Sequence, residues 1–135
     1  MNNKILIVCS NYYKEIADNL ISGSTQYLKA NNFKYDIIYT SGCFEIPFLI
    51  NKNIQDYRAF LSLGCVIRGE TYHFEIISNE CGRKIMDLSI DHGKPIGFGI
   101  LTCENYEQAI IRSDPNKKNK GKEAASACLQ LLDNI

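Results

Sequence analysis

His73 is the residue of this chain best placed by its neighbours to move a proton. It follows Arg68-Gly69-Glu70-Thr71-Tyr72 and opens a stretch, 73–91, in which Phe74, Ile77, Cys81, Ile85 and Leu88 share one helical face. A helix N-terminus disfavours an imidazolium, and a neutral ring there can accept a proton. The N–H groups of Glu70 and Thr71 would point outward at the helix start, where unpaired donors and the helix dipole favour an anion. Gly69 would let the backbone turn sharply before them. The dipole contributes only about 0.3–1 kcal/mol at an exposed site, so a phosphate also needs a cation. Arg112 offers a planar fork suited to phosphate oxygens. A blander account serves Thr71 and Arg112 equally well, as a helix cap and a surface charge, and a lone histidine by itself fits a capping or solvent-facing role better than catalysis.

Other polar groups follow apolar runs elsewhere. In Gly42-Cys43-Phe44-Glu45-Ile46-Pro47, Glu45 could accept hydrogen bonds from a ligand, or simply complement the dipole of the next helix. Tyr12 could offer a ring face to a planar heterocycle, though most aromatic side chains pack in cores. Phe98, inside an apolar run, reads by itself as core. Lys117, Lys118, Lys120 and Lys122 read as a solvated loop from which one lysine could assist an anion site.

The elements that must position these groups alternate. Strands are expected at Ile5–Cys9, Tyr35–Tyr39, Ala59–Val66 and Ile96–Leu101, and helices at 14–30, 45–55, 73–91, 104–112 and 120–133. His92-Gly93-Lys94-Pro95 is a helix stop. Continuous apolar strands alternating with helices predict an α/β three-layer sandwich of flavodoxin-like type. Its four-stranded parallel sheet should have the order 2-1-3-4 and helices on both faces. Ligands of such sheets bind beyond the strands' carboxyl ends. The segments after the four strands, beginning at Ser10, Ser41, Arg68 and Thr102, should therefore converge on one edge.

Composition narrows the field. The chain has 135 residues, consistent with a single domain over 1–135, and its 15 Lys+Arg balance 15 Asp+Glu. Zero net charge argues against a nucleic-acid or membrane-surface partner. No apolar run approaches the roughly 20 residues of a membrane span, and Ile5–Ser10 is too short for a secretory core. A cytoplasmic protein is expected. Its six cysteines are widely spaced, with no CxxC pair, and read as buried thiols rather than metal ligands. Gly97-Phe98-Gly99 lacks a third glycine and lies within a strand. Gly121-Lys122 is followed by Glu123, and neither HExxH nor GxSxG occurs.

Four ordered fragments give the chain a resemblance to a known family. They are Gly42–Pro47, Leu63–Glu75, Gly97–Thr102 with Glu107-Gln108-Ala109, and Asn119-Lys120-Gly121. Together they resemble the 6,7-dimethyl-8-ribityllumazine synthases of riboflavin biosynthesis, nearly end to end. The resemblance implies an enzyme that joins 5-amino-6-ribitylaminouracil to 3,4-dihydroxy-2-butanone 4-phosphate without metal or organic cofactor. It implies His73 as the proton-transfer residue, oriented by Glu123. Glu70, Thr71 and Arg112 would form the phosphate site, and Tyr12 would stack on the pyrimidine. Cys43, Phe44 and Glu45, with Cys65, Val66 and Ile67, would contact the ribityl-bearing substrate. Phe98, Arg112 and Lys120 would come from a neighbouring subunit of a pentamer. Some such pentamers pack twelve to a hollow shell, and the uninterrupted segment from Arg112 to Asn119 is compatible with that. Asn11 stands where the family usually has arginine, and Ser41 replaces a common proline. The chain starts at its first strand, where many relatives carry an extra segment. A ring-forming protein that binds a ribityl compound without turnover, and a flavin-binding module, are the rival expectations.

Overall fold

A computed structural model describes residues 2–135. Its sheet contains β1 (Asn2–Ser10), β2 (Tyr35–Thr40), β3 (Tyr57–Ile67) and β4 (Ile96–Cys103). The order is β2-β1-β3-β4 and every neighbouring pair is parallel. The helices are α1 (Lys14–Ala30), α2 (Ile46–Lys52), α3 (His73–His92), α4 (Tyr106–Ser113) and α5 (Lys120–Leu132). This is the expected α/β three-layer, flavodoxin-like fold. No helix among the described residues is long and apolar enough to cross a membrane.

Side chains alternate across the strands and feed two cores. Ile5, Ile7, Cys9, Leu61 and Leu63 pack with residues of α1 and α5, whereas Leu6, Val8 and Phe60 pack with residues of α2 and α3. Both faces of β1 are covered, which is why Ile5–Cys9 is apolar at every position and wholly buried. The core elements fall within a few residues of their expected bounds. Two local differences have local causes. The expected helix at 45–55 shortens to Ile46–Lys52 behind a 3-10 turn at Cys43–Glu45, with Pro47 in the first turn, where its missing N–H costs nothing. α4 begins at Tyr106 because the Asn105 side chain caps it, accepting from the Gln108 N–H at 2.9 Å. The stop after α3 is as expected: Gly93 is left-handed, φ 61°, and the Lys94 N–H returns to the Ser89 carbonyl at 3.1 Å.

The start of α5 is set by its close approach to α1. A Cβ on Gly121 would lie 2.4 Å from the Leu20 carbonyl oxygen, so only glycine lets the two backbones meet at this spacing. One turn away, the Asn119 side chain fills the space above Gly23 while accepting from the Lys122 N–H at 3.4 Å. Lys120 and Glu123 are thereby delivered to a fixed place. Gly121→Ala forces backbone against backbone and should destabilise the protein by about 1–3 kcal/mol, read as a lowered midpoint in chemical denaturation.

All six cysteines are free, buried thiols. Burial pushes Cys43 up to about 11 and Cys9, Cys81 and Cys128 up to about 12, from an ordinary 9.0. The native state therefore holds these protons more tightly than the unfolded chain. Their contribution to stability is complete below about pH 9 and declines as pH rises toward 11–12. Urea midpoints should fall between pH 8 and roughly 10.5, and the fall should be shallower in Cys128→Ala.

Candidate functional site

The carboxyl ends of β1, β2 and β3 surround a cleft of about 510 Å³. Tyr12, Cys43, Phe44, Glu45, Cys65, Val66, Ile67 and His73 all line it, together with Ser10, Tyr13, Ile76 and Ile77. Its floor is tight: a Cβ on Gly64 would lie 2.7 Å from the Cys43 sulfur, so the thiol packs directly on the β3 backbone. Ser10 Oγ donates to the Ser41 carbonyl at 2.9 Å, and the Asn11 N–H donates to the Thr40 carbonyl at 2.9 Å. These bonds tie together the turns after β1 and β2. The serine at position 41 thus joins the turn through its carbonyl. The rim is aromatic and open. Tyr12 is 71% exposed and stands edge-on to Tyr13 at 4.9 Å, and the exposed Phe44 lines the same cleft. Burial raises Tyr13 above its ordinary value and leaves it a neutral phenol.

His73 is the first residue of α3 and lies on the exposed rim. Its backbone N–H points to Thr71 Oγ1 at 3.4 Å, so Thr71 serves as a loose cap in the isolated chain. Glu70 and Thr71 lie in the exposed loop just outside the cleft lining. Gly69 keeps a negative φ, and a Cβ there would meet nothing, so the sharp turn expected of it does not require glycine. Behind this loop Arg68 spans two acids. Its Nε donates to Glu104 at 3.0 and 3.1 Å, its Nη1 donates to Glu75, and its guanidinium carbon lies 4.5 Å from the centre of the Phe74 ring. Glu75 is held below its ordinary value, chiefly by its own backbone N–H and then by Arg68. Spacing in the sequence gives no hint of this cluster.

A second cleft, about 500 Å³, runs along β4, the last turn of α4 and the first turns of α5. It holds Phe98, Arg112, Lys120 and Glu123. Lys120 Nζ meets Glu123 Oε2 at 3.0 Å, and Arg112 Nη1 donates to the Gln108 carbonyl at 3.3 Å. Phe98, which the sequence suggests is core, is 49% exposed. β4 is an edge strand, and Phe98 points away from Gly97 and Gly99, which lie under α5. Within one chain, then, Arg112 and Glu123 share a cleft with each other and not with His73. Glu70 and Thr71 line neither cleft.

Comparison with known proteins gives these two clefts a context. Residues 2–135 match the family of 6,7-dimethyl-8-ribityllumazine synthase. The chain is 45% identical over 131 residues to 6,7-dimethyl-8-ribityllumazine synthase of Novosphingobium aromaticivorans, covering 96% of this chain and 94% of that one. It is 43% identical to the protein of the same name from Bartonella bacilliformis, with 98% and 90% covered. For that of Zymomonas mobilis the identity is 44%, with 96% and 94% covered. A match of this extent, on a fold whose strand ends carry the expected groups, makes the chain a member of the 6,7-dimethyl-8-ribityllumazine synthase family of enzymes.

Proposed function

We propose that the protein condenses 5-amino-6-(D-ribitylamino)uracil with 3,4-dihydroxy-2-butanone 4-phosphate. The product is 6,7-dimethyl-8-ribityllumazine, with release of phosphate and water. The observation that carries this reading is the division of the expected residues between two clefts, neither complete alone. Two incomplete halves have a use if the second cleft of one protomer meets the first cleft of the next. We take the active unit to be a homopentamer, compatible with a larger shell, acting in the cytoplasm. Six buried free thiols are in keeping with that reducing compartment.

In the joined site Tyr12 stacks on the pyrimidine, and the 43–45 and 65–67 segments contact its ribityl chain and ring. Glu70, Thr71 and the adjoining protomer's Arg112 hold the phosphate, with Lys120 alongside. The arylamine attacks the ketone, and loss of water gives an imine. His73 then takes a proton from the carbon between the imine and the phosphate-bearing carbon, and phosphate leaves with the electrons of its C–O bond. The resulting enol becomes a ketone, which the ribityl-bearing nitrogen attacks to close the ring with loss of a second water. Glu123 orients the imidazole. Holding two substrates in register can supply up to about 7–11 kcal/mol of the acceleration.

Incubation of the purified protein with both substrates should generate lumazine absorbance and fluorescence; binding without turnover would identify the protein as a holder of ribityl compounds instead. His73→Ala should cut kcat by about 10²–10⁴ while sedimentation stays that of the parent assembly. Arg112→Ala should raise KM for the butanone phosphate far more than for the uracil, and equal losses for both would count against the phosphate assignment. Analytical ultracentrifugation should find a pentamer or a multiple of it, and a stable monomer would refute the shared site.

A further inference from the structure

We infer that Arg68 is a positioning residue for His73, an inference that rests on the proton-transfer role proposed for that histidine. Among the described residues, no backbone–backbone hydrogen bond involves Gly69, Glu70 or Thr71. Apart from the contact of Thr71 Oγ1 with the His73 N–H, the loop that leads to His73 is therefore anchored at its ends. At its start the Arg68 N–H donates to the Cys103 carbonyl at 2.9 Å. At its far end the same residue's side chain grips the two residues that follow His73: the guanidinium lies over the Phe74 ring and donates to Glu75. A third contact, Nε to Glu104 at 3.0 Å, fastens this grip to the segment after β4.

The guanidinium therefore closes the loop across its base and fixes the first turn of α3 against the sheet edge. It is engaged by two carboxylates, which leaves it poorly suited to hold a substrate anion. Half-exposed ion pairs contribute little to global stability, so the effect of this cluster is local order rather than overall folding. A planar fork that stacks on a ring and reaches two acids is a geometry lysine cannot reproduce.

The test is a cycle between Arg68→Ala and His73→Ala in the assembled enzyme. Arg68→Ala should lower kcat by about 10–100-fold, as a small misplacement of a reacting group does, with KM for the uracil substrate changed less than about threefold. On the His73→Ala background the same change should cost less than about twofold, because the residue it positions is gone. Arg68→Lys should recover only a small part of the rate. The chain has two histidines, so selective labelling gives one ring resonance at the site and one distant control. The His73 ring signal should shift in Arg68→Ala while that of His92 stays in place. Equal losses on both backgrounds, or an unmoved His73 signal, would overturn the inference. If Arg68→Ala does not fold, Glu104→Gln removes one arm of the grip and should give a smaller loss with the same pattern; no change in kcat or in the His73 signal would overturn the inference. A parent enzyme that makes no lumazine defeats the functional reading, and the His73 signal still decides whether Arg68 positions the ring.

Discussion

Parallel pairing is the constraint from which the rest of the molecule follows. Because β1, β2, β3 and β4 all run the same way, every strand ends at the same edge, and each connection must cross the sheet as a helix. The ladder pairs the backbone within the sheet, its side chains make both faces apolar, and two helical layers must cover them. Polar groups are thereby driven to the strand ends. Residues as far apart in sequence as Ser10, Cys43 and His73 share one cleft for this reason.

The fourth strand adds a second consequence. At the margin of the sheet it has a neighbour on one side only, and α5 covers just one of its faces closely. The half-exposed Phe98 lies on the strand's other face and lines the edge cleft together with Arg112 and the Lys120–Glu123 pair. The close approach of α5 to α1 through Gly121 fixes where that pair stands. The packing of α5 on α1 thus sets where two of the expected site residues stand.

Much of this was legible in the residues. The apolar stripe of α1 and the continuous runs of β1 and β3 are strong periodic signals, and right-handed crossovers leave few strand orders to consider. The helix stop at Gly93 carries its own chemistry. What escaped has equally physical reasons. A strand residue such as Phe98 reads as core unless it is known that the strand is at an edge and which face is open, and only tertiary structure supplies that. Gly69 looks like a turn residue, yet its backbone angle is ordinary. The Arg68 cluster joins residues seven and thirty-six positions away, separations that no local pattern encodes. The division of the expected site residues between two clefts escapes the sequence too, because periodicity does not say which surface a side chain reaches.

The unpaired flank of β4 bears on how the protein must be made. A freshly folded copy presents an edge strand exposed at Phe98 and Thr102, and an unpaired edge beside an exposed aromatic ring is a template for indiscriminate strand addition. If copies join as proposed above, assembly and precipitation compete for the same newborn surface. Recovery from denaturant becomes a race decided by how promptly that flank is shielded.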